Sequence, residues 1–181
     1  MSVSEIKILD LGCGNKKVPG SIGVDSNDTL DADVIHDLNQ FPYPFNDNEF
    51  DKVYIDGTLC LLDNAVLVME EIYRICKKNA MVVIVQPYFR SVWSFADPWI
   101  KNYGTVHSFA FYDPDDPICI RYQYSTARFK TLSINFDEYL DNPSIIRKIV
   151  IKFATRFPRK YEIYLSHFFP LNNIIYRLKK L

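Results

Sequence analysis

The sequence predicts an α/β fold, a doubly wound and mostly parallel sheet. Three observations predict it. Short apolar runs recur along the first eighty-five residues, at 6–10, 21–25, 33–36, 50–55 and 81–85. Turn or helical segments separate them, which is the rhythm of parallel strands joined by crossovers. The clearest run, MVVIV at 81–85, is apolar throughout, as a strand buried on both faces requires.

Each element follows from local pattern. IKILD at 6–10 runs straight into a glycine turn, and SIGVD at 21–25 and DVIH at 33–36 are the next two strands. FDKVYI at 50–55 is the fourth. A helix is predicted over 63–78, with Val66, Met69, Ile72, Tyr73 and Cys76 at helical spacing, Asp63 as N-cap and Lys77-Lys78 at its end. Residues 86–125 break the rhythm with eleven aromatics between Tyr88 and Tyr124. Inserts of that length in compact domains are usually functional. A strand is predicted over 128–136, a basic amphipathic helix over 144–157, and a closing strand or short helix over 174–181.

The 181 residues suit one domain. Its parts are a ligand-binding half at 1–85, an aromatic insert at 86–125 over the substrate side, and C-terminal strands with the basic helix at 126–181. Hydrophobic residues make up 48% and charged residues 24%, which excludes a disordered or fibrous chain. Charge is uneven. Residues 1–120 hold 9 Lys+Arg against 18 Asp+Glu, and residues 121–181 hold 12 against 4. The simplest account is that the two parts complement each other within one fold. The helix at 144–157 would then cover the sheet, with contact to a membrane surface as the less favoured reading. Cys13, Cys60, Cys76 and Cys119 lack metal-ligand or redox spacing and read as reduced thiols of a cytoplasmic protein. The polar start shows no leader, and no apolar run is long enough to span a bilayer.

The informative segment is Asp10-Leu11-Gly12-Cys13-Gly14. A strand ends in Asp and turns at once into a Gly-x-Gly loop, where glycines permit unusual backbone angles and close approach of a ligand. Asp25 ends the second strand, where a carboxylate can accept from both hydroxyls of a ribose. Asp37-Leu38 follows the third strand, where a side-chain acceptor and a backbone N–H can read an adenine edge. Singly, each acid is a common turn or cap residue; in this order they make an adenosine site. A dinucleotide needs Gly-x-Gly-x-x-Gly opening a helix whose N-terminus holds pyrophosphate. Here Lys17 takes the third position and Pro19-Gly20 follow, so the crossover to Ser21 barely fits a helix. S-adenosylmethionine, which has no phosphate, fits better than NAD.

With ILDLGCG (8–14), PGSIGVD (19–25), HDLNQFPYPFNDNEFD (36–51) and MEEIYRICKKNAMVVIVQPYF (69–89), the sequence resembles class I S-adenosylmethionine-dependent methyltransferases of the methyltransferase type 11 family. ADPW (96–99), HSFAFYDP (107–114) and the tail at 164–180 extend the likeness more loosely. The resemblance implies a Rossmann-like fold; the short 10–21 connection predicts a shortened first crossover, and the N-terminal helical cap of relatives is expected to be missing. The resemblance also implies a cofactor site lined by Asp10, Gly12, Gly14, Asp25, Asp37 and Leu38, with Cys13 in the loop and Asp56 at the end of the fourth strand completing the set. Relatives often carry Leu-Glu-His after that strand; Cys60 and Leu61 stand there instead. A non-catalytic protein that keeps the cofactor pocket is therefore the alternative to methyl transfer.

Transfer from a sulfonium needs alignment and exclusion of water, and an oxygen or nitrogen acceptor can need a base. His107 and Asp97, both in the insert, are the candidates; His36, beside the adenine reader, is a poor one. Between 86 and 120 the only cationic residues are Arg90 and Lys101, which favours a small or lipid-linked organic acceptor over nucleic acid.

Overall fold

The computed structural model describes residues 6–28, 31–138 and 140–181. The polar start at 1–5 lies outside them. Seven strands form one sheet: β1 Ile8–Leu11, β2 Ser21–Asp25, β3 Val34–Ile35, β4 Phe50–Asp56, β5 Cys76–Pro87, β6 Phe129–Phe136 and β7 Asn173–Lys180. Their order is β3-β2-β1-β4-β5-β7-β6. β1 to β5 are parallel, and β7 is antiparallel to both β5 and β6. The order reverses between β1 and β4, so the carboxyl ends of these two strands flank the topological switch point where such sheets bind ligands. The closing element is thus a strand.

α1 runs Ala65–Ile75. Its cap is Asn64 and not Asp63: the Asn64 side chain accepts the Val66 and Leu67 N–H groups at 3.0 and 3.2 Å. The helix also stops short of Lys77-Lys78. Cys76 is already extended and pairs with Phe50, and the ladder resumes at Lys52 with Met81. Residues 77–80 form a bulge that Asn79, at φ +68°, allows. Lys77 there donates to Asp51 at 2.7 Å. α2 Trp93–Ala96 and α3 Pro117–Tyr122 interrupt the insert, α4 is Ile145–Arg156, and α5 Pro158–Lys160 follows it.

One face of the sheet carries the core. Leu9, Leu11, Val53, Ile55, Val82 and Ile84 meet Val68, Met69, Ile72 and Ile75 of α1 there. Ala154 of α4 and Tyr161 join the same cluster. The helices therefore gather on one side of a doubly wound strand order. On the other side Val83, Val85 and Ile175 form a small cluster with Tyr54 and Met81, and no described helix residue belongs to it. Long polar side chains shield this face: Lys52 lies 4.6 Å over the Tyr54 ring, and Arg177 reaches Glu138 at 2.8 Å.

No helix joins β1 to β2, as the short connection demands. Lys17 does part of that helix's packing. Its stem lies across Gly23, where a β-carbon would sit 2.5 Å from Lys17 Cδ, and its ammonium pairs with Asp33 at 3.0 Å.

Candidate active site

The carboxyl ends of the parallel strands bring the glycine loop and its acids to one edge. Gly12, at φ +73°, turns the chain out of β1, and its N–H donates to Val24 O at 2.7 Å. Gly14, at φ +52°, donates its N–H to Asp25 Oδ2 at 3.1 Å. Asp25 Oδ1 accepts the Asn27 N–H at 3.1 Å. Each carboxylate oxygen thus holds one backbone donor and keeps a lone pair for a further one. The His36 N–H donates to Asp25 O at 2.9 Å, which ties Asp37 and Leu38 to the same edge.

Asp37 is exposed, and its Oδ1 accepts the Asn39 N–H at 2.9 Å. Leu38 is buried, and its carbonyl accepts the Tyr43 hydroxyl at 3.0 Å. α1 holds this loop from below: the Tyr43 N–H donates to Glu71, and Arg74 donates to the Tyr43 and Phe45 carbonyls.

A cavity of about 370 Å³ opens at the switch point, lined by Asp10, Gly12, Cys13, Lys16, Tyr54 and Asp56 among others. Asp10 is buried and accepts the Val18 N–H at 2.8 Å, with the rest of its carboxylate lining the cavity. Burial raises the Asp10 carboxyl above its ordinary range; the Val18 N–H opposes this and the Asp56 charge adds to it. Desolvation of its carboxyl in the cavity wall raises Asp56 as well. Two carboxyl groups side by side in one cavity suit a cationic guest.

Of the eight residues expected at the cofactor site, Asp10, Gly12, Cys13 and Asp56 line this cavity. Gly14 and Asp25 are joined to it through the loop, while Asp37 and Leu38 stand further along the edge.

The insert rises from the end of β5 and is fastened over the turn after β4. Lys101 and Asn102 donate their N–H groups to Cys60 O at 2.7 and 3.0 Å, and the Asn102 side chain donates to Leu62 O at 2.7 Å. Cys60 is therefore a strut. Its thiol donates to Gly57 O at 3.0 Å, and burial pushes it up to about 11. Leu61 adds no polar group. Thr58 and Asn102 carry no motif, and local sequence gives no sign of either contact.

The two candidate bases are not brought together. Asp97 caps the Trp99 N–H at 2.9 Å, on the segment fastened to Cys60. His107 lines a separate cavity of about 390 Å³ with Phe109, Asp113, Asp116, Phe157 and Tyr176 among others, and no glycine-loop residue lines it. His36 is engaged with Gln40 O at 2.9 Å.

Residues 9–84 match the family model described as a methyltransferase domain. No curated protein matches the chain. Among solved structures, it is similar to a SAM-dependent methyltransferase from Archaeoglobus fulgidus, at 20% identity over 98% of this chain and 87% of that one, TM-score 0.58. An S-adenosylmethionine-dependent methyltransferase from Mesorhizobium loti is 11% identical over 99% and 93%, TM-score 0.60. A chain from the complex of the Haloferax volcanii Trm112 methyltransferase activator with a methyltransferase is 15% identical over 97% and 82%, TM-score 0.56. These likenesses establish the fold as that of the class I methyltransferases.

Proposed function

We propose that the protein binds S-adenosylmethionine at this edge and transfers its methyl group to a small or lipid-linked organic acceptor. The observation that carries the reading is the Asp25 carboxylate, held at the end of β2 by the Gly14 N–H with a lone pair spare on each oxygen. It sits where a ribose diol needs an acceptor. The cavity at the β1–β4 switch point lies within the size range of small-ligand pockets. Asp10 and Asp56 complement an ammonium and a sulfonium. Asp37 and the Leu38 backbone read the adenine.

When bound, the cofactor supplies an activated methyl group. The chain's part is alignment and exclusion of water. The insert, fastened to Cys60, covers the β4 side of the edge. Asp97 lies on that fastened segment and is the better placed of the two candidate bases.

Calorimetric titration tests the reading. S-adenosylhomocysteine should bind and NAD should not; stabilisation by NAD alone would sink the assignment.

The buried Cys60 thiol favours one alternative, a protein that binds the cofactor without turnover, since nothing at 60–61 replaces the Glu-His pair of relatives. Methyl transfer to an extract of small and lipid-linked acceptors separates the two.

A further inference from the structure

The rim beside the candidate site is apolar and cationic at once. In the insert, Val92, Trp93, Phe95 and Trp99 are all more than 60% exposed. These include both tryptophans of the chain. On α4, which the sequence suggested would cover the sheet, Ile145, Ile146 and Ile149 face solvent at 78, 65 and 65%, and Ala154 is the only buried residue. Phe168 and Phe169, before β7, are exposed too.

These pieces are continuous. A groove joins Ile146 and Val150 to Phe168 and Phe169. Arg90 meets His167 at 2.9 Å, which joins residues 166–170 to the start of the insert. Asp137, at the end of β6, accepts the Asn172 and Asn173 N–H groups at 2.8 and 2.7 Å and pairs with Arg147 of α4 at 2.6 Å. The first turns of α4 are thereby held at the carboxyl edge, the edge that carries the glycine loop.

Along α4 and α5 the charge is of one sign. Residues 144–160 hold six Lys and Arg and no Asp or Glu. Lys148, Lys152 and Arg156 are exposed at i, i+4 spacing, beside Ile145 and Ile149. Of the acids nearby, Asp137 is taken by Arg147, Glu138 by Arg177 and Asp116 by Arg159, while Asp97 and Asp141 are exposed.

An exposed patch this large marks a binding surface. A second copy of the chain would set the same cations against each other in a two-fold contact. A nucleic acid would meet isoleucines where it needs a cationic track. An anionic bilayer satisfies both features: tryptophan and isoleucine enter the headgroup boundary, and lysines meet the lipid charge.

We propose that this rim docks on an anionic phospholipid bilayer, so that the acceptor is taken from the membrane surface. The inference rests on the cofactor reading above.

Flotation with vesicles of phosphatidylcholine, alone or mixed with phosphatidylglycerol, tests it on the full chain. The protein should float with the mixed vesicles only, with a blue shift of tryptophan emission and release at high salt. Lys148→Glu with Lys152→Glu should weaken binding about a hundredfold. Ile145→Ser with Ile149→Ser should weaken it at least about tenfold. Absence of flotation, or flotation indifferent to both double variants, overturns the proposal. So does a concentration-dependent dimer that these variants dissolve, which would give the rim to a second copy. S-adenosylhomocysteine titration of the same variants in solution keeps the two readings apart. A chain that binds it normally but does not float loses only the bilayer; one that floats but does not bind it loses only the cofactor.

Discussion

Thr58 occupies the space that a side chain on Gly12 would need. Its hydroxyl donates to the Gly12 carbonyl at 3.3 Å and to the Asp56 carbonyl at 3.2 Å, so the turn after β4 rests on the loop after β1. A β-carbon on Gly12 would overlap that hydroxyl and lie 2.5 Å from Thr58 Cγ2. The left-handed backbone at φ +73° adds its own cost. Gly12→Ala should destabilise the fold by about 2–4 kcal/mol, from left-handed strain and overpacking together. Thr58→Gly in the same chain should recover the packing part and leave the strain. Denaturant unfolding of the two single variants and the double variant measures this; additive losses would mean that the contact is unimportant.

On the proposed reading, Asp25 has two duties. Because it holds the Gly14 and Asn27 N–H groups, Asp25→Ala should cost about 1–2 kcal/mol of stability. It should also weaken S-adenosylhomocysteine binding roughly ten- to a thousandfold. Asp25→Asn, whose amide has one acceptor oxygen, should do nearly as much harm to affinity. Melting temperature and dissociation constant on the same variant separate loop support from ribose binding; unchanged affinity with lowered stability leaves only the first.

For Asp10 the sign of the pH effect is fixed by burial. Its folded carboxyl titrates above the ordinary 3.8. The folded state therefore holds the proton longer than the unfolded state, and stability falls as pH climbs from 3.8 through the folded value. At neutral pH the whole cost is present. Asp10→Asn keeps an oxygen for the Val18 N–H and removes the charge. Its melting temperature should exceed that of the parent at pH 7 and converge with it in acid, while cofactor binding weakens at least about tenfold. A lower melting temperature at pH 7 would contradict this.

Asp137 should be a stability residue alone. Its side chain is 1% exposed and supports Arg147 and two backbone donors of the chain entering β7. Asp137→Ala should cost about 3–5 kcal/mol, because a part-buried cation and two N–H groups lose their partner. Thermal unfolding checks it; a loss under about 1 kcal/mol would show that water replaces the carboxylate.

The candidate bases differ in what they line. If the acceptor needs a base, Asp97→Asn should lower turnover about a hundredfold or more. His107→Ala, in the separate cavity, should lower it less than about tenfold and leave cofactor affinity unchanged. The reverse order of losses would move the acceptor site to the His107 cavity.

Much of this was legible because the parallel strands end in acids. β2 runs as its pattern states, and Asp10, Gly12, Asp25 and Asp56 reach one edge simply because parallel strands share their direction. The missing first crossover helix was a matter of chain length. Other features depend on tertiary contacts that no window of sequence contains. α1 ends at Ile75 because Cys76 pairs with Phe50, twenty-six positions earlier in the chain. The outward isoleucines of α4 have the same periodicity as inward ones; which face turns in is settled by the packing of Val150, Ile151, Phe153 and Ala154 on the core. The one-sided helical cover was hidden because MVVIV looks alike whether helices or lysine stems shield its second face.

The position of β7 bears on how the chain matures on the ribosome. It is the last strand in order, yet it lies between β5 and β6 and pairs with both along their length. While it is still in the exit tunnel, two apolar strand edges stand open and the aromatic layer around Tyr176 has no centre. β1 to β5 and α1 can assemble early, since they are contiguous in sequence. The rest waits for residues 173–180, and a nascent chain stalled before they emerge would expose an unfilled slot to its neighbours on the polysome.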